Sequence, residues 1–242
     1  MTSRRLDPAL HQRKLLALLL ALYKTGGVRP GPGDKLVFKG GTCAALFHQL
    51  PRLSFDLDFD LLSPFDADDI DVLRAVLAGQ AAVREARDKR NTLFFLLDNE
   101  KGAPNIKVEI NKRIWTHNAY RNAWLLGVEV RIADEVTLAT NKLVALTDRP
   151  IPVARDLFDA HFFLKMGFPL NEALVQERTG KSLQEYLAGL PQFVEKRFKP
   201  RDVLHGLGDA LDEAQKAWAR ERLVADFRSE VEKRISSLGS PG

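Results

Sequence analysis

Nine residues, Ser54 to Leu62, constrain this 242-residue chain more than any other stretch. In Ser54-Phe55-Asp56-Leu57-Asp58-Phe59-Asp60-Leu61-Leu62 acidic and apolar side chains alternate strictly over the central positions. A period of two marks a strand with one face in a core. It puts Leu57, Phe59 and Leu61 on that face and Asp56, Asp58 and Asp60 together on the other. Like charges on one strand face repel, and Asp is a poor strand former. The acidic face is therefore either a solvated surface or a cation site. Two carboxylates at i and i+2 can grip Mg²⁺ and leave positions open for phosphate oxygens. A D-x-D-x-D-G calcium loop is excluded, because Leu61 stands where that loop needs Gly and Ala67 where it needs a bidentate Glu.

The charge around this strand is segregated. The chain carries 36 Lys and Arg against 32 Asp and Glu, a net of +4, which permits a nucleic-acid partner without requiring one. Residues 1–50 hold 8 basic and 2 acidic side chains, whereas 51–100 hold 6 and 11. A single cysteine, Cys43, excludes an internal disulfide framework and a cysteine zinc cluster, and it suits a reducing cytoplasm. Leu15 to Tyr23 is the longest apolar run and is too short to span a bilayer. Arg4, Arg5, Arg13 and Lys14 precede it, as in a signal peptide, but no small-residue cleavage site follows. The expectation is a cytoplasmic protein without a membrane partner.

The pattern predicts a helix over 7–25 with Asp7 as N-cap and Pro8 at its first position, then a Gly/Pro-rich connection over 26–34. A short strand follows at Leu36-Val37-Phe38, closed by Gly40-Gly41, and a helix over 42–50 ended by Pro51. Beyond the acidic strand, the reading is a helix over 66–89, a buried strand over 93–97 and a turn at Gly102 and Pro104. A second alternating strand covers 105–112, and a last strand 128–132. From Asp134 onward the periodicity is helical: 134–147, 153–165, 170–177, 182–196 and 207–236. The chain therefore divides into an α/β part, 1–133, and an all-helical part, 134–242, with a disordered tail at 239–242.

Two further features bear on the acidic strand. Val37-Phe38-Lys39-Gly40-Gly41-Thr42 runs from strand through paired glycines into a helix start. Glycines there admit the backbone N–H groups to a phosphate, and the helix N-terminus favours its charge; a tight strand–helix turn is the plain alternative. Neither G-x-x-x-x-G-K-[ST] nor G-x-G-x-x-G is present. In the strand Asn105 to Asn111, Glu109 lies opposite the apolar face Ile106, Val108, Ile110. It is either an ordinary exposed Glu or, if this strand neighbours the acidic one, a third carboxylate that shares a metal or accepts a proton.

Taken in order, Lys39-Gly40-Gly41-Thr42 and Arg52-Leu53-Ser54-Phe55-Asp56-Leu57-Asp58-Phe59-Asp60 resemble the first motif of nucleotidyltransferases of the AbiEii/AbiGii toxin family, within the DNA polymerase β-like superfamily. The stretch Lys142-Leu143-Val144-Ala145-Leu146, with Arg149 and Ala154-Arg155-Asp156-Leu157-Phe158-Asp159, is similar to that family's second signature. Asn141 stands where the family often has Glu. The resemblance spans about residues 36–165. It implies an α+β fold, a nucleotidyltransferase-like mixed sheet with flanking helices, followed by an all-helical domain that completes the active site.

For the site, the resemblance implies Asp56, Asp58, Glu109, Lys142 and Asp156 as catalytic. Asp56, Asp58 and Glu109 would be ligands of Mg²⁺, or of Mn²⁺ in its place. Nucleotide contacts would come from Lys39, Gly40, Gly41, Thr42, Arg52, Ser54 and Lys142. For function, it implies a toxin of a toxin–antitoxin or phage-defence system that transfers NMP from a nucleoside triphosphate to an acceptor, foremost the tRNA 3′ end, with a cognate antitoxin as partner. The alternatives are transfer to a protein or small molecule, a catalytically silent nucleotide-binding defence module, and a metal-dependent phosphodiesterase. The roles of Asp60 and Asp159 are left open.

Overall fold

The computed structural model describes residues 7–25, 31–99, 104–200 and 202–238. The tail at 239–242, the glycines at 26 and 27 and the turn at Gly102 lie outside them. The chain forms two compact units. One comprises 1–49, 53–114 and 120–133; the other comprises 50–52, 115–119 and 134–242.

The first unit is built on a seven-stranded mixed sheet. Its strands are β1 Leu36–Lys39, β2 Leu57–Leu61, β3 Val83–Asp88, β4 Thr92–Leu97, β5 Ile106–Asn111, β6 Tyr120–Leu125 and β7 Val128–Ala133, in the order β3-β4-β5-β2-β1-β7-β6. The pairs β1–β7 and β2–β5 are parallel and the other pairs antiparallel. The alternation read in the sequence is realised. Leu57, Phe59, Val108, Ile110, Phe38, Phe95 and Ile132 are all buried on one face. They form one core with Leu15, Leu18, Leu19 and Leu22 of helix α1, Pro8–Tyr23, and Leu73 and Leu77 of helix α4, Ala67–Gln80.

Both helices start where their caps dictate. Asp7 accepts from the amides of Ala9 and Leu10, and Asp66 and Asp69 form a reciprocal capping box. Near the far end of α1, the Tyr23 hydroxyl lies 2.8 Å from the Arg131 carbonyl and accepts from the Phe38 amide. It thus bridges β7 and β1. Burial pushes its pKa above the ordinary tyrosine value.

Four sequence-level expectations are corrected. The helix expected over 66–89 stops at Gln80, and Val83–Asp88 is the edge strand β3. Tyr120–Leu125 is also a strand, β6, hairpinned to β7 through Leu126-Gly127. A four-residue helix, α2 Pro32–Lys35, occupies part of the expected connection. The acidic strand begins at Leu57, so Ser54, Phe55 and Asp56 precede its ladder.

The second unit contains α5 Glu135–Asp148, α6 Ala154–Lys165, α7 Glu172–Thr179, α8 Leu183–Arg197 and α9 Glu213–Leu238. Asp134, Asn171 and Ser182 cap the first, third and fourth of these through their side chains. Among the described residues, no helix is long and apolar enough to cross a membrane.

Candidate active site

The middle of the sheet carries the acidic face. Parallel pairing of β2 with β5 sets Asp58 beside Glu109 and Asp60 beside Asn111, so Glu109 does neighbour the acidic strand. Antiparallel pairing with β1 sets Asp58 beside Lys39. The five positions alternate away from the core, which gathers them on one face.

The two strand aspartates differ. Asp60 is 1% exposed, paired with Lys39, and accepts from Asn111 Nδ2 at 2.7 Å. A buried carboxylate needs this company, because desolvation without a counter-charge would neutralise it. Lys39, expected at the nucleotide, is thus the counter-ion of Asp60. Asp58 is only half-buried and packs against Gly40.

Gly40 opens helix α3, Gly40–Phe47, with φ +79°. A Cβ there would come within 2.8 Å of Asp58 Cβ and Cγ and closer still to Oδ2. Only glycine satisfies both the left-handed backbone and the contact. The helix start and the Asp58 carboxylate are therefore immediate neighbours, and the amides of the first turn of α3 have no helical acceptors of their own.

Asp56 precedes the ladder and is fixed by its backbone. The Thr42 hydroxyl donates to the Asp56 carbonyl at 2.5 Å, so this buried threonine holds the loop rather than offering its hydroxyl outward. The Asp56 carboxylate is partly exposed, with Lys107 Nζ at 3.9 Å. Ser54 is half-buried, and Glu109 is exposed with no ion pair among the described residues.

Among the described residues, no three His, Cys, Asp or Glu side chains are grouped closely enough to hold a metal ion. Asp56, Asp58 and Glu109 occupy adjacent backbone positions without converging. Their donor set still suits a hard divalent cation, being all carboxylate oxygen with neither sulfur nor imidazole.

The remaining sequence candidates lie in the helical unit. Asp159 is fully buried and receives Arg52 in a two-point bond, Nε at 2.5 Å and Nη2 at 2.7 Å, with Lys142 Nζ at 2.7 Å. Burial works to raise its pKa, but the charges of Lys142 and Arg52 outweigh it and hold the carboxyl below the ordinary aspartate value. Arg52 and Lys142 thus share one counter-ion on α6. Asp156, one turn earlier, is 5% exposed. Arg149 Nε stands 2.9 Å from its Oδ2, yet that oxygen accepts no hydrogen bond.

A central mixed sheet thus brings a glycine turn onto a carboxylate strand. The fold is shared with a candidate nucleotidyltransferase from H. pylori, at 21% identity and a TM-score of 0.60 over 96% of this chain and 97% of that one. It is shared too with the JHP933 protein of Helicobacter pylori, at 21% identity and a TM-score of 0.54 over 96% of each chain. No curated protein sequence matches the chain. The family is defined by its sequence model: residues 22–233 match the AbiEii nucleotidyl transferase toxins of type IV toxin–antitoxin systems. The chain belongs to this family and is a nucleotidyltransferase of the toxin class.

Proposed function

We propose that the protein transfers a nucleoside monophosphate from a nucleoside triphosphate to a terminal hydroxyl of tRNA, with Mg²⁺ as cofactor, or Mn²⁺ in its place. The observation that carries this reading is the packing of Asp58 on Gly40, with Glu109 in register beside Asp58. Phosphate-binding amides and carboxylates are then adjacent. The backbone of Gly40, Gly41 and Thr42 receives the triphosphate at the start of α3. Asp56 and Asp58, with Glu109 as third donor, hold the cation. When bound, it offsets phosphate charge and eases ionisation of the attacking hydroxyl. The acceptor oxygen forms a bond to the α-phosphorus, the bond to pyrophosphate breaks, and the hydroxyl proton passes to Glu109 where that residue serves as base in place of third donor, and otherwise to solvent. The family resemblance gives Lys142 and Asp156 parts in the reaction. A cognate antitoxin is the expected protein partner.

The test incubates the protein with Mg²⁺, total tRNA and each α-labelled nucleoside triphosphate, alongside Asp56→Ala. Label should enter tRNA and be lost both in the folded variant and on chelation. Transfer retained by Asp56→Ala would refute the mechanism. Label on protein would redirect the acceptor, and shortened RNA would mean phosphodiester cleavage instead.

A further inference from the structure

Helix α1 reaches the loop that carries Asp56. His11 is 2% exposed, and its Nε2 lies 3.0 Å from the Phe55 carbonyl oxygen. Its Nδ1 lies 2.8 Å from Asn99 Nδ2, which also donates to the Pro104 carbonyl at 3.1 Å. An amide nitrogen only donates, so Nδ1 accepts and Nε2 carries the proton. One neutral tautomer satisfies both bonds. The Phe55 ring meets the imidazole edge-on at 5.3 Å between centroids.

The Phe55 carbonyl belongs to the peptide that enters Asp56, and the next carbonyl, that of Asp56, accepts from Thr42. The carbonyls on either side of the Asp56 Cα are therefore both held by side chains, one from α1 and one from α3. Asp56 precedes the β2 ladder, so these two bonds do what strand pairing does for Asp58. The family match begins at residue 22, so the α1 clamp is supplied from outside the matched region. Burial lowers the pKa of His11; the Phe55 carbonyl and Asp56 work to raise it and Lys14 to lower it, and burial prevails.

We propose that His11 is a positioning residue for nucleotidyl transfer, its Nε2–H fixing the Phe55–Asp56 peptide and through it the Asp56 carboxylate. This rests on Asp56 serving the reaction, and the two can fail separately. The experiment measures kcat and KM for nucleotidyl transfer in His11→Gln and His11→Asn. A glutamine amide reaches the Nε2 position and can donate to Phe55 while accepting from Asn99. An asparagine is one methylene short and leaves the Phe55 carbonyl without its donor. His11→Asn should lose about tenfold or more in kcat with KM for the nucleotide nearly unchanged, because misplacement of reacting groups is felt in the chemical step. His11→Gln should stay within about threefold of the parent protein by the same argument.

Should His11→Asn fail to fold, His11→Leu, similar in volume and without polar atoms, replaces it with the same expectation. Equal kcat in the glutamine and the shortened or apolar variant, while Asp56→Ala is inactive, would overturn the role of His11 alone. An active Asp56→Ala would overturn the reading beneath it.

Discussion

Neutralising Asp159 by Asp159→Asn should cost the helical unit about 3–5 kcal/mol. The magnitude follows from burial. Asp159 is wholly buried, and the side chains of its two cations are 3% and 14% exposed. Asn keeps the shape and one acceptor oxygen but removes the negative charge that Arg52 and Lys142 share. Breaking a buried pair in this way is far more costly than replacing it whole. Against a typical domain stability of about 5–15 kcal/mol the loss is large. For a unit of this size it corresponds to a drop in melting temperature of roughly 10–20 °C.

The assay is thermal and urea unfolding followed by circular dichroism, with Arg52→Met/Lys142→Met/Asp159→Leu as the paired control. The triple variant should recover to within about 2 kcal/mol of the parent protein, since no charge remains buried. The pH dependence has a definite sign. The folded pKa lies below the unfolded value of about 3.9. The stability contributed by Asp159 is therefore complete above that value and is lost as pH falls through the lowered pKa. Asp159→Asn should remove that part of the acid sensitivity. A loss under about 1 kcal/mol would refute the argument, because it would mean that water solvates the two cations.

Two more substitutions test particular contacts. Gly40→Ala imposes a left-handed alanine, about 1–2 kcal/mol, and pushes Asp58 aside; transfer of labelled nucleotide should fall about a hundredfold, and ordinary activity would disprove the close packing. Leu126→Asn should raise stability by about 1 kcal/mol, since Leu126 is 71% exposed at φ +48° and precedes Gly127 in a two-residue hairpin turn that favours Asn-Gly; an unchanged or lower melting temperature would count against it.

What the sequence revealed and hid follows from where side chains carry a period. The strands β2, β4 and β5 were legible because each buries one face against α1 and α4, so their apolar residues recur every second position. Strand β3, Val-Arg-Glu-Ala-Arg-Asp, is exposed on both faces apart from a half-buried Glu85. Charged residues suit an unpaired sheet edge, and they also make the segment read as the end of the preceding helix. Strand β6 is the other edge, and its turn lacks the Asn-Gly that would announce a hairpin. The discontinuous membership of the helical unit, with 50–52 and 115–119 inserted from afar, has no local signal at all. At the site, the glycine turn and the acidic strand were visible as residue types. The clamp from His11 was not, because one buried histidine in a leucine-rich helix carries no pattern.

The sequence pattern puts Asp56, Asp58 and Asp60 on one strand face, and the structure separates them by burial. Asp60 is the innermost; Lys39 supplies its counter-charge and Asn111 Nδ2 donates a hydrogen bond to it. Asp159, also unassigned from sequence, has the same relation to Arg52 and Lys142. In both places a motif lysine is held by an aspartate too buried to meet a substrate. A buried, paired carboxylate has spent its charge on its partner. The cation site we propose therefore draws on the less buried Asp56, Asp58 and Glu109 rather than on Asp60. Near the glycine turn the charge of the sequence is thus organised locally: ion pairs hold the buried Asp60, while Asp56, Asp58 and Glu109 keep part of their surface exposed.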